Sequence, residues 1–216
     1  MANAIHTLIP LLLSGLKLTI LIAVVGIFFG FVIGSFSGYA LQSNSRVAYN
    51  IAYFYIWLIR GTPIIVQALY VYYVIPSLTG INLSNTTAGI LVITMNSGAF
   101  ISEIVRGSLQ SVEEGQKEAG ASLGLAKYQI LIHIIIPPAF RNMVPALFNQ
   151  FIISLKDTAM LTIIAVNEMT QRAMAYSALT FDYVHTFTVL ALFYLVLITV
   201  LMLVQKMVEK RLGVKR

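Results

Sequence analysis

The stretch EGQKEAGASLGLAKYQILIHIIIPPAF, Glu114–Phe140, interrupts a chain that is otherwise mostly apolar. Ser111 and Glu114 have the spacing of a capping box, which predicts that a short helix begins at this point. Gly124 is a suitable stop for that helix, because glycine readily adopts the left-handed conformation that ends many helices. A second helical run is predicted over residues 126–136, ending at the two prolines. The stretch therefore predicts a helix, a tight turn and a second helix.

The composition around this stretch is that of an integral membrane protein. The 216 residues are 58% hydrophobic and 10% charged, whereas soluble domains carry about 25% charged residues. At about 20 residues per span, the chain has room for five or six transmembrane helices. The apolar runs are long and continuous, which excludes a transmembrane β-barrel. The absence of cysteine excludes a disulfide framework and cysteine-ligated metal.

Five transmembrane spans are predicted, which makes the fold class an all-α polytopic membrane helix bundle. The second span is interrupted by Arg60-Gly61-Thr62-Pro63. Residues 1–216 are expected to form a single transmembrane domain, with a segment at about 111–137 between spans three and four. Residues 1–16 contain no Lys or Arg, so a cleaved signal peptide is not expected. The spans are roughly Leu16–Leu41, Val47–Leu78, Thr87–Val105, Asn142–Val166 and Tyr183–Gln205.

Basic residues are distributed unequally between the two sides of these spans. Ten of the 14 lie between spans one and two, between spans three and four, or after span five, whereas the opposite side has only Arg172. The positive-inside rule then places the N-terminus outside and the C-terminus in the cytoplasm. The net charge of +6 is therefore assigned to membrane topology and not to nucleic-acid binding. Residues 167–182 are expected to form a polar outer loop.

Span one carries glycine at every fourth position, at Gly26, Gly30, Gly34 and Gly38. On a helix these residues form one stripe that permits the close approach of another backbone. Packing within the subunit is the first interpretation. The alternative is an interface with a second subunit.

The segment that opened this section resembles the EAA signature of ABC importer permeases. That signature is Glu-Ala-Ala, three residues, Gly, nine residues, and then Ile-x-Leu-Pro. Here the matching positions are Glu118-Ala119-Gly120, Gly124 and Ile134-Ile135-Ile136-Pro137. Gly120 replaces Ala and Ile136 replaces Leu, and every spacing is kept.

The resemblance extends over nearly the whole chain, to the five-span permeases that import polar amino acids. One difference stands out: the family usually has an acidic residue three positions before the arginine of the second span, and here Trp57 occupies that position. The similar blocks are Ile59-Arg60-Gly61-Thr62-Pro63, Asn96-Ser97-Gly98-Ala99, Pro145-Ala146-Leu147-Phe148-Asn149-Gln150 and Leu155-Lys156-Asp157-Thr158.

The resemblance implies the fold of a type I ABC importer permease in a bacterial inner membrane. It implies that the EAA helix is a coupling helix that docks in a groove of a separate ATPase subunit. The chain has no G-x-x-x-x-G-K-[ST] phosphate loop, so ATP and Mg are expected on that partner and no cofactor on this chain. The other expected partners are an extracytoplasmic amino acid-binding protein and a second permease subunit, either identical or a paralogue.

Polar residues inside the spans are costly and usually functional. By helical rise, Arg60, Asn96, Gln150 and Lys156 fall at depths where they could converge near the membrane midplane, where transporters tend to bind substrate. Lys156 or Arg60 is a candidate for the carboxylate of a zwitterionic amino acid, and Asp157 for its ammonium group. The alternative is a permanent ionic network or gate.

Selection of the substrate side chain is assigned to Gln150, because an amide suits a neutral, glutamine-like substrate. Trp57 and Gln67 are further candidates for substrate contact. Glu103 and Arg106 are three residues apart, so we expect an ion pair between them.

Two other functions remain as alternatives. An ion-coupled secondary transporter of amino acids would have no use for the EAA segment. A membrane enzyme or scaffold would need a catalytic constellation, and the sequence shows neither a nucleophile with a base nor metal-ligand spacing. No catalytic residue is therefore assigned.

Overall fold

The computed structural model describes residues 2–213, with side chains from His6 onward. This part of the chain contains helices and no strand, and the all-helical membrane fold is confirmed. Four helices are long and apolar enough to cross a membrane, and there are five such spans if one bent pair of helices is counted as a single span. The helices are α1 (Ala2–Ala40), α2 (Arg46–Arg60), α3 (Ile64–Thr79), α4 (Asn85–Gln110), α5 (Glu114–Ser122), α6 (Lys127–Ile164), α7 (Met169–Thr180) and α8 (Tyr183–Arg211).

The bundle is built around α4, which is the most buried of the membrane helices. The glycine stripe of α1 packs along it: Gly26 lies against Ile93, and Gly34 against Gly98 and Ile101. α1 contributes no side chain at these positions, so the helices approach closely. The prediction that the stripe packs within the subunit is confirmed.

The second span is broken, as its sequence predicted. α2 and α3 meet at an angle of 104° across Gly61-Thr62-Pro63. Proline has no N–H for a helical bond and disfavours the helical conformation in the residue before it. α2 therefore ends at Arg60, and Pro63 caps the start of α3.

The expected limits of spans one and five were too narrow. α1 begins at Ala2 instead of Leu16, because Leu8 and Leu12 are buried against α7 and α8 in an apolar cluster. α8 continues past Gln205 to Arg211.

The expected stop at the two prolines is wrong, and α6 runs without a break from Lys127 to Ile164. Residues Ile130–Ile135 form a π-helical segment, in which the Ile136 N–H bonds to the carbonyl of Leu131, five residues back. This one-residue shift lets the helix pass through Pro137 and Pro138, which have no N–H to donate. Span four therefore begins well before the expected Asn142.

The expected outer loop is also wrong, because residues 169–180 form α7. Glu168 supplies its N-terminal cap, accepting hydrogen bonds from the backbone N–H groups of Thr170 and Gln171. Glutamate is not a favoured capping residue, so no local pattern predicts a helix here. Ala165 and Phe181, which border this region, adopt left-handed backbone conformations.

The predicted capping box is a further error. Ser111 ends α4 instead of starting α5, and its hydroxyl donates to the carbonyl of Ser108. α5 begins at Glu114 with Glu113 as its N-cap. The prediction that the helix stops at Gly124 is confirmed. Gly124 has a φ of 76°, which is the left-handed conformation that ends many helices.

Candidate functional site

The break in the second span is held together by one buried side chain, Gln67. Its Nε2 atom donates to the carbonyl oxygens of Ile59 and Thr62, at 2.7 Å and 2.9 Å. These carbonyls lie at the broken end of α2, where no further helical turn can supply N–H donors. Asn96 of α4 donates in turn to Gln67 Oε1 at 3.1 Å. The two amides are thus engaged with the backbone and with each other.

We expect Gln67→Leu to lower the stability of the folded chain. The substitution keeps much of the volume but removes the hydrogen bonds from Gln67 Nε2 to the Ile59 and Thr62 carbonyls, at a cost of about 1–3 kcal/mol. The melting temperature of the purified protein in mild detergent measures the effect. Gln116→Leu, on an exposed position of α5, is the matched control. Equal melting temperatures for the two variants would contradict this account of the bend.

On the other side of the bend, Arg60 takes part in an ionic cluster with α4. Glu103 Oε2 accepts from Arg106 at 2.6 Å, while Glu103 Oε1 lies 3.5 Å from Arg60 Nη1. The Arg60 guanidinium also lies over the Phe100 ring, 5.3 Å from its centre. The predicted pair between Glu103 and Arg106 is confirmed, and the contact with Arg60 was not predicted.

This cluster borders a cavity of about 660 Å³ near the end of the bundle that carries α5. Tyr49, Tyr53 and Trp57 recur every fourth residue on α2 and form one wall of the cavity. The rings of Tyr49 and Tyr53 are stacked, with centres 6.0 Å apart. Leu41 and Gln110 complete the rim.

A third group of polar residues lies on α6. Gln150 and Ser154 are buried and are joined by a hydrogen bond from Gln150 Nε2 to Ser154 Oγ at 3.2 Å. Asp157 follows seven positions after Gln150, which places it on the same helical face. Lys156 is exposed and points about 100° away from Asp157. This face presents an amide, a hydroxyl and a carboxylate in a line.

The seven residues proposed for substrate contact therefore fall into three groups and not into one cluster. Gln67 and Asn96 hold the bend, Arg60 and Trp57 border the cavity, and the remaining three lie on α6. Helical rise gives an expected depth for each of these residues, but it does not give the helix face on which the residue lies.

Sequence reasoning missed a buried carboxyl group, that of Glu168 at the start of α7. Its side chain is fully buried and lies 3.4 Å from the Tyr194 hydroxyl of α8. Burial raises the pKa of the Glu168 carboxyl, and the hydrogen bonds from Thr170 and Gln171 act in the opposite direction. Thr19 of α1 accepts a hydrogen bond from the Met169 N–H, so α1, α7 and α8 are joined here.

The EAA residues lie on α5 and the beginning of α6. Gly120 is buried, and a side chain there would collide with Ile134 of α6, only 2.5 Å from the position of a Cβ atom. Gly120, which stands where the signature has Ala, thus packs against Ile134 of the same chain. Glu118 and Ala119 are exposed on the other side of α5. Leu123 follows the helix with 80% of its surface exposed.

Among the side chains that the structure describes, no three His, Cys, Asp or Glu residues are grouped closely enough to hold a metal ion.

Comparison with known proteins identifies the family. Residues 26–214 match the model of the binding-protein-dependent transport system inner membrane component. The chain belongs to this family. It is therefore an inner-membrane transport component, and the prediction of an ABC importer permease subunit is confirmed.

Relatives of this permease cover almost its whole length. It is 38% identical to the glutamine transport system permease protein GlnP of Escherichia coli K12, over 98% of this chain and 97% of GlnP. It is 33% identical to the arginine transport system permease protein ArtQ of Bacillus subtilis, over 94% and 93% of the two chains.

Solved structures show the same fold for the permease. An amino acid ABC transporter crystallised with histidines has a chain with a TM-score of 0.91 and 32% identity, with 97% of each chain covered. A chain of the MetNI methionine ABC transporter, in an inward-facing conformation, has a TM-score of 0.83, with all of both chains covered. Because the sequence identity to the MetNI chain is only 19%, this structural similarity supports the fold alone.

Proposed function

We propose that this permease imports polar amino acids, with glutamine as the best candidate, across a bacterial inner membrane. The observation that carries the proposal is its similarity to a glutamine permease over 98% of the chain. Residues 1–216 act as one permease domain, and ATP is hydrolysed by a separate subunit. A binding protein delivers the substrate, and a second permease subunit, identical or a paralogue, completes the pathway.

The α5 end is assigned to the cytoplasm and the N-terminus to the outside, on the basis of the basic residues in the loops. In this orientation α5 is the coupling helix, with residues 111–137 as the coupling segment. Glu118 and Leu123 are exposed at this end, as a docking surface requires. ATP binding and hydrolysis then move α5, and the spans open alternately to either side.

The polar face of α6 is assigned to the substrate. Gln150 offers an amide to a neutral polar side chain, and Asp157 offers a carboxylate to the substrate ammonium group. Lys156 is the candidate for the substrate carboxylate. A low dielectric strengthens such contacts, and polar groups within membrane helices usually serve a transport pathway.

We expect Asp157→Asn to slow ATP-driven glutamine uptake by tenfold or more. Losing one charge-assisted hydrogen bond costs about 1.5–3 kcal/mol, which corresponds to a factor of roughly ten to a hundred. Proteoliposomes that contain the permease, its ATPase subunit and luminal ATP, supplied with the binding protein, measure the rate. Ionophores dissipate all ion gradients, so a secondary transporter would show no uptake under these conditions.

Asp182→Asn is the matched control for that experiment. Asp182 caps α8 with its side chain, and asparagine caps a helix equally well. If Asp157→Asn and Lys156→Ala lowered the melting temperature but left uptake unchanged, these two residues would form a structural network and not a substrate site.

A further inference from the structure

A groove lies on the surface of the bundle between the C-terminal part of α1 and the beginning of α6, and we call it the α1–α6 groove. It encloses about 400 Å³. Its floor is formed by buried residues, among them Val105 and Leu109 of α4 and Ala139 of α6. Its rim is exposed: Phe36 of α1 is 75% exposed and Phe140 of α6 is 50% exposed.

We propose that the α1–α6 groove holds one acyl chain of an anionic phospholipid, with the lipid headgroup at Arg46 and Lys127. The three helices that line the groove are all long and apolar enough to span a membrane, so the bilayer is the medium around it. The leaflet concerned is the one at the α5 end, which is the inner leaflet in the orientation assigned above. The inference does not depend on which amino acid is transported.

The lining of the groove suits a hydrocarbon chain. Apart from Ser35 and Tyr39, its lining residues in the described part of the chain are apolar. Phe31, Ser35 and Tyr39 recur every fourth residue and therefore form one face of α1. A water molecule in such a groove would lack the two to four polar partners that it needs, whereas an acyl chain would gain dispersion contacts with the floor and the walls.

The width of the groove favours a lipid chain over a helix of another protein chain. Phe31 and Tyr39 are eight residues apart, so the groove runs for about 12 Å along α1. A volume of about 400 Å³ over this length gives a mean cross-section of about 33 Å². A helix with side chains is about 10–12 Å in diameter and needs at least about 80 Å². A helix therefore cannot enter the groove, but an extended hydrocarbon chain can.

Two basic residues lie at the α5 end of the helices that form the groove. Lys127 begins α6, four positions before the lining residue Leu131, and Arg46 begins α2, shortly after α1 ends. Gln42 donates to the Arg106 carbonyl at 3.4 Å, which holds the loop before Arg46 against the end of α4. Arg46 and Lys127 are exposed, and among the side chains of residues 6–213 neither forms an ion pair. Both cations are thus free to bind a phosphate group.

The headgroup is expected to decide which lipid binds. Lipid tails outside the groove are already in an apolar medium, so a tail that enters the groove gains no hydrophobic free energy. A basic residue beside an anionic headgroup raises the affinity about fivefold, which corresponds to about 1 kcal/mol. For Arg46 and Lys127 together, we expect a preference of about 25-fold for phosphatidylglycerol over phosphatidylcholine, which has no net charge.

Native mass spectrometry of the purified transporter, with its partner subunits, tests the proposal. The detergent micelles contain equal amounts of palmitoyl-oleoyl phosphatidylglycerol and palmitoyl-oleoyl phosphatidylcholine, which have the same acyl chains. We expect the wild type to retain phosphatidylglycerol, and the ratio of the two bound lipids to fall about fivefold in Lys127→Gln and in Arg46→Gln. Arg172→Gln, at the opposite end of the bundle, is the control and should keep the wild-type ratio.

Ser35→Trp tests the groove itself, because the indole would fill it. We expect the amount of bound phosphatidylglycerol to fall tenfold or more, whereas Ser14→Trp, at an exposed position of α1, should bind as the wild type does. If Ser35→Trp does not fold, as its melting temperature would show, the two charge variants decide the matter. Equal retention of both lipids by the wild type would overturn the proposal. Loss of a protein subunit from Ser35→Trp without loss of lipid would also overturn it, because the groove would then be a contact between protein chains.

Discussion

Gly34→Leu is expected to prevent the permease from reaching a stable fold. A Cβ atom at Gly34 would lie 2.8 Å from the carbonyl oxygen of Gly98 and 2.8 Å from Ile101 Cβ. A backbone carbonyl cannot rotate out of the way, so α1 and α4 would have to separate. Because this is the most extensive helix pair in the bundle, we expect a loss of about 3 kcal/mol.

The yield of monodisperse protein and its melting temperature in mild detergent measure this effect. Gly107→Leu is the matched control: Gly107 lies on α4, and a side chain there would meet no heavy atom within 4 Å. We expect Gly107→Leu to change the free energy of unfolding by no more than about 0.5 kcal/mol, as surface substitutions usually do. Its melting temperature should therefore be close to that of the wild type. Equal loss of folded protein in both variants would show that the stripe is not a packing surface.

The glycine stripe also shows what the sequence could predict about the fold. A four-residue repeat of glycine on an apolar helix specifies a close helix contact, because this pattern depends only on local geometry. The break at Gly61-Thr62-Pro63 was predictable for the same reason, since proline acts on its own backbone and that of its neighbour. The angle of 104° depends on Gln67 and on α4, and no local pattern contains it.

The errors arose at two kinds of place, where packing between distant segments decides the structure and where the helical hydrogen bonding changes locally. α7 forms because Met169 and Ala173 are buried against Leu8 and Leu12 of α1, which lie more than 150 positions earlier in the sequence. The π-helical segment before Pro137 carries α6 through a site where proline usually ends a helix. The first outcome follows from tertiary contacts that override local propensity, and the second from a local change in the hydrogen bonding of the helix.

The sequence contains only part of what defines the candidate site. Its residue types and approximate depth follow from the rise of a helix and from the cost of polar groups in a membrane. Their partners do not: Asn96 is joined to Gln67, and Arg60 to Glu103. Which faces meet depends on how the helices rotate about their axes, and that rotation is fixed by packing.

Leu123→Asp is expected to abolish ATP-driven uptake by disconnecting the permease from its ATPase. Leu123 follows α5 with 80% of its surface exposed, at the end assigned to the cytoplasm. If it is buried in a partner's groove, it contributes about 1.5–3 kcal/mol to the association. An aspartate in the same place would bring a buried, unpaired charge at a cost of several kcal/mol more. Together these changes weaken the association by at least about a thousandfold.

Co-purification of the ATPase subunit with the permease from mild detergent measures this association, followed by ATP hydrolysis and uptake. Glu118→Lys, on the exposed side of α5, should weaken the same contact. The matched control is Leu179→Asp, because Leu179 is 83% exposed on α7, at the opposite end of the bundle. It should retain the ATPase fully. If Leu123→Asp also retained it, with unchanged hydrolysis and uptake, α5 would not be the coupling helix, and the force that opens the spans would have to enter the permease elsewhere.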